Sequence, residues 1–142
     1  MKHRKLIILF LTFACVMMTA IVTNTPERKT IRYFNSHRAA LEDAVLHHMG
    51  AGLEDDNAHI RFNYWGGEHP IAEYTVVSRG LVPSSKYYGF FYSYDNVPVA
   101  FQNANQSLTP VSDQTWQWNG EGDNHGMVRR LDANWFYFEA AL

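Results

Sequence analysis

From Leu6 to Val22 the chain carries no charged residue, and beyond that run its apolar positions fall first into a helical period and then into a period of two. The uncharged run is seventeen residues long. At the α-helical rise it covers roughly 25 Å, close to the ~30 Å hydrocarbon core of a bilayer. Lys2, Arg4 and Lys5 precede it, an arrangement that holds an N-terminus in the cytoplasm. Cleavage signals around it are poor, because Met18-Thr19-Ala20 puts a large residue at a key position and Thr23-Asn24-Thr25 ends in threonine. Lipidation at Cys15 fits no better, since Leu11 stands four residues before it and the apolar run continues past it. The reading is an uncleaved transmembrane signal anchor over residues 1–24, followed by a single extracytoplasmic domain over 25–142.

The stretch "TPERKTIRYFNSHRAALEDAVLHHMGAG" predicts one amphipathic helix. Thr25 is placed as its N-cap, Pro26 at its first position, Glu27 at the positive end of its dipole and Gly50 as its C-cap. Phe34, Leu41, Val45 and His48 share a narrow stripe flanked by Ile31 and Met49. Arg38 interrupts that stripe and must snorkel or find a partner. The period then changes. "AHIRFNYW" alternates, with Ala58, Ile60, Phe62 and Tyr64 on one face and His59, Arg61 and Asn63 on the other. "IAEYTVVS" repeats the pattern, and "KYYGFFYSY" is aromatic on both faces, as a central strand would be. Pro98 demotes "VPVAF" to an edge strand or extended loop. "QTWQW" and "MVRRL" flank a glycine-rich hairpin loop, and "NWFYFEA" closes the chain. These elements predict an α+β fold, one helix packed on a five- or six-stranded antiparallel sheet.

Charge narrows the partners. The chain has 12 Lys+Arg and 14 Asp+Glu, and three of the basic residues precede the apolar run. The remaining part holds nine basic against fourteen acidic residues, a net −5, which argues against nucleic acid or an anionic membrane surface as a partner. Cys15 is the single cysteine, so the domain is expected to hold together by packing, without disulfides.

Two phrases, "YYGFFYSYDNVPVAFQ" and "GDNHGMVRRLDANWFYFEA", together with the basic tip, apolar segment and aromatic domain, resemble small signal-anchored proteins of gut-type Clostridia. The resemblance implies location and architecture. It brings no activity and no functional residues.

Candidate chemistry is sparse. His47 and His48 are adjacent and diverge, and the spacings to His59 and His69 match no zinc pattern, so no metal is expected. The acids cluster in turns, where they act as local caps and solvated charge. "NGEGDNHG" supplies only Glu121 and Asp123 before His125 interrupts a calcium-like series. No nucleophile elbow or phosphate loop is present. Neither an enzyme nor a cofactor is expected.

The aromatic residues are more informative, because one helix covers one face of the sheet. Trp65, Tyr87 and Trp135 fall on the second face in some registers, and Trp116 and Trp118 project together beside the hairpin loop. Such residues either form an exposed platform for a sugar or protein partner, or line a second core covered by loops such as "FQNANQSLTP". The sequence thus points to a single-pass, membrane-anchored interaction or sensing module on the outer face of the cell, with an envelope protein as partner. The alternatives are a cell-wall glycan-binding domain using these tryptophans, and a small envelope enzyme acting through turn carboxylates and His125.

Overall fold

A computed structural model describes residues 24–47, 60–81 and 84–142. The anchor, the Gly50 cap, His48, Met49, and Ala58 and His59 at the start of the first alternating stretch lie outside the described residues. Among the described residues no helix is long and apolar enough to cross a membrane.

The chain runs through α1 (Pro26–Ser36), α2 (Arg38–Leu46), β1 (Arg61–Trp65), β2 (Ile71–Leu81), β3 (Ser84–Ser93), β4 (Thr109–Ser112), β5 (Thr115–Asn119), β6 (His125–Asp132) and β7 (Trp135–Ala141). Among the described residues two helices thus stand where one was expected, and seven strands where five or six were. Thr25 caps α1 as anticipated, its hydroxyl accepting from the Arg28 amide at 3.3 Å. The break comes at His37. Its ring nitrogen and the Ser36 hydroxyl both lie 3.0 Å from the Tyr33 carbonyl, local bonds that compete with a regular ladder. The kink lets Leu41, Ala44 and Val45 of α2 join Tyr33 and Phe34 of α1 against the sheet. Arg38 finds its partners, Glu42 at 2.6 Å and Asp132 at 2.8 Å, while its guanidinium lies over Phe34.

All seven strands form one antiparallel sheet in the order β1-β2-β3-β7-β6-β5-β4. Two meanders meet at β3 and β7. The closing segment "NWFYFEA" is therefore the central strand, which accounts for four consecutive buried residues, Trp135 to Phe138. Because β3 lies inside the sheet and β4 at its far edge, the chain between them must cross the sheet. Residues 97–108 make that crossing as a strap over the face opposite the helices, so Pro98 sits in an extended loop rather than in a strand.

Asn103 in the strap bonds the β1–β2 turn, and β4 begins six residues later. Two cores result. On the helix side Tyr33, Phe34, Leu41, Val45, Tyr74, Phe90 and Trp135 pack together. On the strap side Ile71, Phe91, Trp118, Val128, Phe136 and Phe138 pack against Val99, Ala100 and Phe101 of the strap.

Glycines opposite large rings complete the strap-side core. Trp118 is paired with Gly126, and a Cβ at Gly126 would come within 2.5 Å of the indole and of the Glu139 carbonyl. The ring lies across bare backbone, a place only glycine provides. Gly126→Ala is expected to cost about 2 kcal/mol, as for overpacking. A shift in urea midpoint worth under about 0.5 kcal/mol would show that the indole is free to move aside.

Candidate functional site

The five aromatic residues singled out in the sequence do not form an exposed platform. Trp135 is on the helix side, 1% exposed, with Phe34, Phe90 and Tyr92 edge-on around it. Trp118, 4% exposed, lies over Gly126 and lines the concavity at the β5–β6–β7 end of the sheet. Trp65, Tyr87 and Trp116 are half-buried on the strap side, where Tyr87 stacks on Phe101 of the strap at 5.1 Å and Trp116 tilts toward Phe136 at 6.2 Å. The strap covers part of this surface, with Phe101 against Tyr87 and Phe138. Trp135 and Trp118 are thus core residues, and the aromatic parity seen in the sequence serves two-sided packing.

Polar groups converge instead where the strap meets the β1–β2 turn. That turn, 66–69, contains Gly67 at φ 112°, a conformation glycine adopts without strain. Asn103 reaches across from the strap, its side-chain amide donating to the carbonyls of Gly66 at 2.9 Å and His69 at 3.0 Å. Gln102 and Asn103 both have left-handed backbone, at φ 58° and 52°. Consecutive non-glycine residues held this way cost free energy, and such strain gathers at functional sites. Between the turn and the strap lies a groove of about 420 Å³, its walls including Glu68, His69, Asn105 and Gln106, with Val99 and Leu108 as apolar contributors.

His69 is held in one orientation. Its Nδ1 lies 2.6 Å from Asp95 Oδ2, and since a carboxylate only accepts, Nδ1–H is the donor. Asp95 is fixed in turn by the Ser93 hydroxyl at 2.8 Å and the Val97 amide at 3.3 Å. The hydrogen bond to Asp95 raises the His69 pKa, and the same bond lowers that of Asp95. Nε2 is thereby left to act as acceptor in the neutral ring and donor in the protonated one.

Beneath the strap, on β2, Glu73 is fully buried. Its Oε2 accepts the Gln102 amide at 2.8 Å, tying the strap to the sheet. Its Oε1 and the indole nitrogen of Trp65 are both buried without a hydrogen-bond partner of good geometry. Burial pushes the Glu73 carboxyl up to about 7, against the lowering effects of the Gln102 amide, the nearby Trp65 N–H and the charge of Arg61. Sequence reading missed this residue, because a glutamate at a strand position alternating with Ala72 and Tyr74 looks like solvent-facing polarity. It missed His69–Asp95 because the two are 26 positions apart.

A second concavity, about 300 Å³, lies over the β5–β6–β7 end of the sheet with Lys86, Gln117, Asn119, His125 and Glu139 in its walls. His125 is exposed there, and its ring nitrogen bonds the Asp123 carbonyl within its own hairpin. Among the described residues, no group of three or more His, Cys, Asp and Glu side chains is placed to hold a metal ion. No family model, no curated protein and no solved structure matches the chain.

Proposed function

We propose that the protein is a membrane-anchored binding module on the outer face of the cell, and that its binding site is the groove between the β1–β2 turn and the strap. The observation that carries this reading is the buttressed His69–Asp95–Ser93 chain opening onto a loop-walled groove with amide side chains. Side chains fixed before the ligand arrives bind without the entropy cost of ordering them. Glu68 and Asp95 outweigh His69 in charge, so the groove suits a neutral or cationic ligand rich in hydroxyl or amide groups. A peptide or an amide-bearing wall fragment has that chemistry. The resemblance to signal-anchored proteins and the Leu6–Val22 run support the location.

The test is backbone amide shift mapping of the full chain in nanodiscs, titrated with a soluble peptidoglycan fragment and separately with a lysine-rich peptide. Shifts are expected at Gly66, Gly67, His69 and Asn103 to Gln106. His69→Ala is expected to weaken binding about tenfold or more, as for loss of a charge-assisted hydrogen bond. Shifts centred instead on Lys86, His125 and Glu139 would move the site to the second concavity and defeat the proposal.

A further inference from the structure

We infer that the basic end of α1 is a docking surface for the phosphate headgroups of anionic lipids, and that it sets which way the domain faces. The inference rests on the anchored reading above. Arg28, Lys29 and Arg32 follow one another along exposed positions of α1, and β6 adds Arg129. Among the described residues lining the patch the carboxylate is Glu27, which lies 2.7 Å from Arg129 and offsets one of these four basic residues. This stands out in a region of the chain whose net charge is −5. The other acids of the described helices, Glu42 and Asp43, are on α2.

Helix stability does not account for the arrangement. Arg28 and Lys29 sit in the first turns of α1, where the helix dipole favours acids and disfavours cations. The position of the preceding chain supplies the occupant. The apolar run ends at Val22 and α1 begins at Pro26, four residues that span at most about 14 Å. Long basic side chains reach across much of that distance. A screening length of about 8 Å at physiological ionic strength leaves them within the field of an anionic surface. Each such cation is worth about fivefold in membrane association.

A consequence follows for the groove. The helices and the strap lie on opposite faces of the sheet. With α1 turned toward the bilayer, the strap and the His69 groove turn away from it, toward ligands arriving from outside.

The experiment uses the full chain with Cys15→Ser and Asn35→Cys, a fluorophore at position 35, and a quencher on lipid headgroups. Nanodiscs of phosphatidylcholine alone are compared with nanodiscs containing about a third phosphatidylglycerol. Stronger quenching is expected on the anionic discs, reversed by about 0.5 M salt. The triple variant Arg28→Gln, Lys29→Gln, Arg32→Gln is expected to lower the docking equilibrium about a hundredfold, to the phosphatidylcholine level. Equal quenching on both lipids, or no response to the triple variant, overturns the docking surface. Extraction of the protein from vesicles by alkaline carbonate overturns the anchor itself and the docking with it. Retention without dependence on lipid charge overturns only the docking.

Discussion

Glu73→Gln is expected to gain about 3 kcal/mol over the wild type between pH 4 and pH 8. The folded carboxyl titrates at about 7, against 4.5 for an unperturbed glutamate. Between those two values the folded state holds a proton that the unfolded state has released. Stability therefore falls as pH rises through this window, and the loss is complete above the folded value. At 1.36 kcal/mol per pKa unit the penalty for keeping Glu73 ionised and buried reaches about 3 kcal/mol. Glutamine has the shape of the neutral acid and carries no charge, so its penalty does not grow with pH. Its carbonyl can still accept the Gln102 amide, while its NH2 group in place of Oε1 adds a buried donor beside the Trp65 N–H, a cost that does not change with pH and cancels in the difference between pH 4 and pH 8. The carboxylates of Asp95 and Asp132 have lowered values and pull the overall pH profile the other way, which is why the difference between variants is the quantity to read. Urea unfolding at pH 4.5, 6, 7 and 8 provides it. Parallel profiles for the two proteins would mean that Glu73 is solvated, and that the strap is not fastened as described.

The same residue shows where sequence legibility ended. Periodicity is a local signal, and wherever pairing is local it was sufficient. The strand at β1, the doubly aromatic β3, and the β5–β6 hairpin stand where the period of two placed them, although burial along β1 does not alternate and Tyr64 is exposed. The cap at Thr25 and the need of Arg38 for a partner were legible for the same reason. The fourth strand, Thr109-Pro110-Val111-Ser112, was not, because it is short, exposed throughout and contains proline, so it presents no alternation at all. Strand order is non-local, and with it the path of the strap. That path decides which aromatic residues are covered and which carboxylate is trapped. Aromatic parity told that Trp116 and Trp118 share a face, and they do. It left open whether that face was a platform or a core covered by "FQNANQSLTP", and the strap, which includes most of that loop, does cover it. One clue went unused: in a hairpin read across "QTWQW" and "HGMVRRL", Gly126 falls opposite Trp118, and a glycine facing a tryptophan marks a ring laid on backbone.

Trp135→Ala is expected to cost 3–5 kcal/mol, the usual range for truncating a large aromatic in a closed core. The indole is 1% exposed and has ring centroids of Tyr92 at 5.1 Å, Phe34 at 5.2 Å, Phe90 at 5.9 Å and Tyr74 at 6.3 Å around it. These neighbours come from α1, β2 and β3, so the hole would open where the helical layer meets the centre of the sheet. None of the four can fill it without leaving its own packing. A single domain of this size is typically stable by 5–15 kcal/mol, so the variant loses a large share of the total. Trp116→Ala, on a half-buried ring near the β4 edge, is expected to cost under about 2 kcal/mol. Urea unfolding of both variants separates a core residue from a surface platform, because a ligand-facing tryptophan is replaceable within about 0.5 kcal/mol. A near-neutral Trp135→Ala would reopen the platform reading. With the expected loss, any failure of that variant to bind ligand reports a damaged fold, while His69→Ala, at a partly exposed side chain, can report on the groove.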